Sequence, residues 1–240
     1  MMTKIDELLD DLIKVAASVR STYADLFDPE VPTIPIPFFG AIESAQVVTI
    51  GLNPSDGELR GRNWPASLQP QTLHVRLAQY FSNHAAPPHA WFGTWIEALA
   101  LIGVSYGSAA AAHVDLCPWA TKPMSTLPEQ QRFTRLVEES VPWFTRCLRL
   151  AVKARLVLLA GAVNKGAYLN EFIRGANAGG LRLEGIPKRQ GKAFVCMHTL
   201  HLDGRAMPAF FCSVSPSSRT KRLLPLRVAE HRKLLTGHLA

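Results

Sequence analysis

The 240-residue chain is 48% hydrophobic and 19% charged, which supplies a sizeable core for one large or two small domains and predicts a soluble globule. No apolar run is long enough to span a bilayer, and the segment after Met1 is charged and amphipathic rather than a signal h-region, which excludes membrane-spanning and secreted classes. The net charge of +7 is uneven: residues 1–30 carry three basic and seven acidic side chains and 181–240 carry eleven and three, a balance that suits a polyanion such as nucleic acid, or a solvated basic surface.

In chain order, Ile5, Leu8, Leu9, Leu12, Ile13, Ala16, Val19, Tyr23 and Leu26 fall at helical spacing with acidic residues in the first turns, so residues 1–30 should hold a docked N-terminal helix. The prolines of Pro32-Thr-Ile-Pro-Ile-Pro-Phe-Phe-Gly40 forbid a helix and predict an extended connector over the surface across 31–45. Val47-Val48-Thr49-Ile50 then runs into Gly51-Leu52-Asn53-Pro54, the pattern of a buried parallel strand ending in a tight turn. In open α/β sheets ligands bind at that end. Gly51 permits close approach of the backbone to a partner, Pro54 fixes φ, and Asn53 projects an amide able to orient a water. The alternative is that Asn-Pro-Ser-Asp-Gly simply makes a turn.

A polar loop over 59–70 contains Gly61-Arg62-Asn63-Trp64, and helices are expected near 72–82 and 90–102, the second stopping at Gly103. A second strand at 109–116 ends in Asp115-Leu116-Cys117-Pro118. Pro128 opens another helix, Ser140 and Pro142 restart it, and it continues through Leu150. A third strand covers 155–161, a helix 162–173 and a Gly-rich basic loop 175–190. A hairpin of 192–201 and 205–213 turns at Asp203-Gly204, and its second arm ends in Ser215-Pro216-Ser217-Ser218-Arg219 before a C-terminal helix. Strand–helix alternation implies an α/β fold with a mainly parallel sheet, all four strand ends along one rim. The cysteines Cys117, Cys147, Cys196 and Cys212 are scattered without zinc or iron–sulfur spacing, which predicts reduced thiols, a cytoplasmic location and no metal or cofactor.

These strand ends, in this order over roughly Val47 to Arg222, resemble the uracil-DNA glycosylase superfamily. Gly51-Leu52-Asn53-Pro54 resembles its first motif in the Gly-X-Asn-Pro form of the mismatch-specific and single-strand-selective branches. Gly61-Arg62-Asn63-Trp64 is similar to the Gly-Arg-Pro-Phe of the iron–sulfur branch, Asp115-Leu116-Cys117-Pro118 to the segment before the base-pairing loop, and Ser215-Pro216-Ser217-Ser218-Arg219 to the second motif. The departures are Asn53 where an Asp can stand, Asp115 for the pyrimidine-reading Asn, Ser215 for the motif His, and the missing cluster cysteines.

The resemblance implies a single domain over 1–240, a three-layer α/β/α sandwich around a central four-stranded mainly parallel sheet, acting as a monomer on single- or double-stranded DNA. Excision requires extruding a nucleotide, reading its base and delivering water to the anomeric carbon. Asn53 would position the water, with Asp56 or Glu58 as a back-up base unless these are solvated loop carboxylates. Gly51, Leu52, Trp64 and Asp115 would bind the base, Trp64 by stacking unless it lids the core. Ser215, Pro216, Ser217, Ser218, Arg219, Lys221 and Arg222 would hold the DNA. Leu223 or Leu224 would wedge into the stack or pack the last helix, and His198 or His201 would replace the missing histidine or be structural. An ionised Asp115 has only acceptors, which disfavours uracil and favours a purine-type lesion, unless burial protonates it or Lys122 pairs with it. The competing expectations are a catalytically weak or inactive nucleic-acid-binding member of this fold, or a hydrolase of a small nucleoside or nucleotide.

Overall fold

The structure, a computed structural model, describes residues 2–60, 64, 69–82, 88–123, 130–160, 182–184, 195–213 and 221–240. The expected helix at 162–173, Pro128, Gly61 to Asn63, Ser215 to Arg219 and most of the 175–190 loop lie outside these residues. Helix α1 spans Lys4–Thr22. Thr3 and Asp6 cap it reciprocally, Thr3 Oγ1 accepting from Asp6 N at 3.1 Å and Asp6 Oδ2 from Thr3 N at 3.0 Å. Its stripe of Ile5, Leu8, Leu9 and Leu12 is buried, and a short 3-10 turn at Ala24–Leu26 completes the predicted helical run.

The connector departs from expectation. Rather than lying over the surface it runs through the interior, with Ile34, Ile36, Phe38 and Phe39 each at most 1% exposed. The prolines hold it extended, Pro35 bridges Trp119, and Ile36 N donates to Pro118 O at 2.7 Å. The alternating apolar side chains can therefore reach the core, and Phe38–Phe39 forms an edge strand, β1.

Six further strands follow: β2 Val47–Gly51, β3 Ala111–Asp115, β4 Leu156–Ala160, β5 Arg182–Glu184, β6 Val195–Leu202 and β7 Arg205–Cys212. They form one sheet in the order β1-β3-β2-β4-β7-β6-β5. Strands β3, β2, β4 and β7 are mutually parallel, while β1, β6 and β5 join antiparallel. The chain is thus mixed α/β with a four-stranded parallel centre whose carboxyl ends Gly51, Asp115, Ala160 and Cys212 share one edge. The strand order reverses at β2, which has β3 on one side and β4 and β7 on the other, and such a switch point is where open sheets open a crevice. The β5 strand replaces part of the expected loop. The β6–β7 hairpin turns as predicted, with Asp203 and Gly204 at φ +50° and +79°.

Among the described residues there are five more helices: α2 Pro70–Ala78, α3 Phe92–Ala100, α4 Gln130–Leu150, α5 Leu223–Glu230 and α6 Arg232–Gly237. Helix α1 packs on α2 and α4, whereas α3 packs on α5. Every residue of β2, β3 and β4 is buried, so both faces of the sheet centre are covered. Helix α4 does not restart at Ser140 and Pro142 but runs through them. Pro142 removes one backbone donor, and the helix keeps its course because Phe133, Leu136, Val137, Val141, Phe144 and Leu148 bury one continuous stripe. No described helix is long and apolar enough to cross a membrane.

Candidate active site at the carboxyl edge of the sheet

Register places Thr49, His113, Leu158 and Phe210 side by side across the parallel strands, so they share one face. On that face a buried polar chain crosses from the loop after α3 to the end of β3. The Tyr106 hydroxyl lies 2.6 Å from Thr49 Oγ1, which lies 2.8 Å from His113 Nδ1, and His113 Nε2 lies 3.3 Å from Asp115 Oδ1. Thr49, His113 and Asp115 are at most 3% exposed. The two residues of the pair share a face because side chains alternate along a strand, and Asp115 stands where β3 ends, at the rim.

Gly51 has a different role from the one expected. A Cβ there would stand 2.4 Å from Asp115 Oδ1 and 2.6 Å from His113 Nε2, so the glycine makes room for this pair rather than for a ligand's approach. Burial pushes the Asp115 carboxyl above its usual range, His113 opposing through its charge and hydrogen bond. Lys122 does not pair with it, since its Nζ donates to Asp25 O at 3.1 Å. Burial thus weighs against the ionised, acceptor-only form of Asp115, and His113 weighs for it.

Asn53 sits beyond β2, half-buried. Its Nδ2 donates to Pro54 O at 2.9 Å and to Thr121 Oγ1 at 3.0 Å, with Trp119 O at 3.4 Å. This ties the Gly-Leu-Asn-Pro turn to the segment after β3, as do a Ser55–Thr121 bridge and Leu52 O accepting from Cys117 N at 2.9 Å. With the amide nitrogen engaged, Oδ1 is the atom that remains for a ligand or water.

Asn53 and Asp115 line one small cavity of about 80 Å³ together with Pro54, Ser55, Glu58, His89 and His113, and with Phe39, Trp91 and Phe92 as its aromatic walls. Glu58 and Asp56 are not solvated loop carboxylates. Asp56 is buried and ion-paired to Arg60 at 3.2 Å. Glu58, 3% exposed, accepts from the Tyr80 hydroxyl and faces His89 Nδ1 at 3.8 Å.

Trp64 is not among the cavity-lining residues. It is half-buried against the core, donates from Nε1 to Glu58 O at 3.0 Å and carries the Arg76 guanidinium 5.8 Å from its ring centre. Leu52 is likewise half-buried against the core. Ser215, Pro216, Ser217, Ser218 and Arg219 lie outside the described residues, while Lys221 and Arg222 are exposed just before α5. Leu224 is fully buried and serves packing, and Leu223 is half-buried against the core.

His198 and His201 pair with Ala209 and Ala206 of β7, below the rim, which removes them from the cavity. Cys117, Cys147 and Cys212 are buried. Burial pushes the Cys117 thiol up to about 12, so it serves as an apolar filler. Tyr106, Thr49, His113, His89 and Trp91 are the site residues that the sequence did not single out. Only His113 left a usable signal, two positions before Asp115 on the same strand. No protein-family model matches the chain and no characterised protein matches it significantly, so function has to be inferred from the site's own chemistry.

Proposed function

We propose that the protein is a monomeric, cytoplasmic DNA N-glycosylase of the uracil-DNA glycosylase-like α/β/α type, excising a deaminated or damaged base by water attack at the anomeric carbon without a cofactor. The observation that carries this is the meeting of the Gly-Leu-Asn-Pro turn and the Asp-Leu-Cys-Pro turn at one rim, with Asn53 and Asp115 in the wall of a single aromatic cavity. A planar base seats against Phe39, Trp91 and Phe92, and Asp115 reads its edge. Asn53 Oδ1 accepts from the attacking water, and Glu58 in the same wall is the carboxylate that takes its proton. The water oxygen bonds to the anomeric carbon while the glycosidic electron pair leaves with the base. Lys221 and Arg222, with Arg219 and its serines, meet the phosphates.

The test is an excision panel on oligonucleotides carrying uracil, hypoxanthine, xanthine or a thymine mispair, read by alkali cleavage at the abasic site. At least one lesion should be cleaved by wild type and spared by Asp115→Leu. One observation favours a second reading, a nucleic-acid-binding protein without activity: the Asn53 amide nitrogen is spent on Pro54, Thr121 and Trp119, as in a turn-capping asparagine. Retention on DNA without scission of any lesion would select it.

A further inference from the structure

We propose, building on the glycosylase reading, that Tyr80 is the positioning residue of Glu58: its hydroxyl locks one carboxylate oxygen and keeps the group charged, so that the other oxygen takes the proton of the attacking water. The Tyr80 hydroxyl donates to Glu58 Oε2 and accepts from the backbone His89 N at 3.0 Å. Its one proton and one of its lone pairs are thereby both assigned. A single hydroxyl ties the carboxylate to the segment that carries His89 and Trp91, two other residues of the cavity wall.

Both partners are held before any substrate arrives. Tyr80 is buried just beyond α2, its ring centre 4.4 Å from that of Phe39 and 5.6 Å from that of Phe92, with Phe81 edge-on at 5.0 Å. A ring packed on three sides gives its hydroxyl one aim. Glu58 closes the 3-10 turn Asp56–Glu58, where its N donates to Ser55 O at 2.9 Å and its O accepts from Trp64 Nε1 at 3.0 Å. Backbone and Oε2 are thus both tied, which leaves Oε1, on the His89 side, as the oxygen that accepts the water proton. The Tyr80 proton stays on its own oxygen throughout.

A general base must also be ionised when the water comes. Glu58 is 3% exposed, and burial by itself favours a neutral carboxylic acid, which cannot take a proton. A hydrogen bond donated to the charged form opposes that preference. Neutral His89 does not supply one: Trp91 N donates to its Nδ1 at 3.3 Å, so this nitrogen has no proton to offer Glu58 Oε1, 3.8 Å away. The remaining charged groups around Glu58 have partners of their own. Asp56 pairs with Arg60 at 3.2 Å, the Arg76 guanidinium lies 5.8 Å from the Trp64 ring centre, and in the cavity wall Asp115 lies 3.3 Å from His113. The Tyr80 hydroxyl is the donor that faces the carboxylate head.

Tyr80→Phe removes the donor and keeps the packed ring. Isotope-edited infrared difference spectra, each protein against the same protein carrying Glu58→Gln, follow the Glu58 carboxylate band as the pH is lowered. In Tyr80→Phe the band should disappear at a pH higher by about one to two units, the worth of a hydrogen bond to a charged group. On the acid limb of the pH profile, single-turnover excision by Tyr80→Phe should fall about tenfold per unit of that displacement, with oligonucleotide affinity unchanged. Leu12→Ala, a truncation of a fully buried side chain in α1, controls for stability: it should melt lower without moving either curve. An infrared curve that stays in place overturns the proposal. A displaced infrared curve with an unaltered excision profile also overturns it, because Glu58 is then not the working base, and the glycosylase reading stands. A displaced curve with no lesion excised by wild type strikes the glycosylase reading and leaves the hold of Tyr80 on Glu58 in place.

Discussion

Gly51 lies directly against Asp115: a Cβ on the glycine would stand 2.4 Å from Asp115 Oδ1. The strand end and the carboxyl occupy the same space, and only the absence of a side chain lets both exist. Gly51→Ala must therefore displace the His113–Asp115 pair or shift β2 against β3. We expect a loss of about 1–3 kcal/mol of stability, typical of overpacking a closed core. Loss of excision should accompany it. Chemical denaturation and the lesion panel check both, and an alanine variant with wild-type stability and activity would show that the pair moves freely.

Thr49 joins two buried polar groups that are distant in sequence. Thr49→Val keeps the shape but leaves the Tyr106 hydroxyl and His113 Nδ1 without this partner, at about 1–3 kcal/mol for each orphaned group. Tyr106→Phe in the same background should restore part of the loss, because it removes one orphan. A double-mutant cycle by urea denaturation reads the coupling, and strict additivity would mean that the chain is not one network.

The pH dependence has a definite sign. A carboxyl whose folded-state pKa is raised binds its proton more tightly in the folded protein than in the unfolded chain. Asp115 thus adds stability below the ordinary aspartate range, and that contribution is lost as pH rises from there through its raised folded value. Asp115→Asn should lose this downward slope and gain relative to wild type with rising pH. Thermal melts of both proteins from acidic to alkaline pH provide the check, and parallel profiles would argue against a raised carboxyl.

Glu58 offers a test of the chemical step that spares the fold. In Glu58→Gln the amide oxygen still accepts from the Tyr80 hydroxyl, so melting should change little. If Glu58 takes the water proton, single-turnover excision should fall by about 10²–10⁴-fold, the usual worth of a general base. An unchanged rate would leave water delivery to Asn53 alone.

Lys221 and Arg222 are exposed just before α5. If each neutralises one phosphate, replacing either should flatten the salt dependence of duplex binding by about 0.9 in log–log slope. Binding of Lys221→Ala and Arg222→Ala across a salt series measures it, and an unchanged slope in both would place the DNA path elsewhere.

What could be read from the residues alone was local. The β-branched run Val47 to Ile50, the helical stripe of α1 and the Asp203-Gly204 turn each specify their element through neighbours only a few positions apart, and the ordered strand ends placed Asn53 and Asp115 on one rim. The errors arose where long-range packing overrides local chemistry. Proline spacing dictates an extended connector but says nothing of whether Ile34 and Ile36 face solvent or core. Pro142 breaks an isolated helix, yet α4 continues because its apolar stripe is buried on both sides of the proline. Glu58 reads as a solvated loop carboxylate until Tyr80 and the cavity wall close over it. The state of Asp115 depends on groups that only folding brings near it: Tyr106 and Thr49 reach His113 across strands, and no pattern within β3 encodes their hydroxyls. Charge on a buried carboxyl is set by the partners and the desolvation around it, and both exist only once the sheet has brought those residues together.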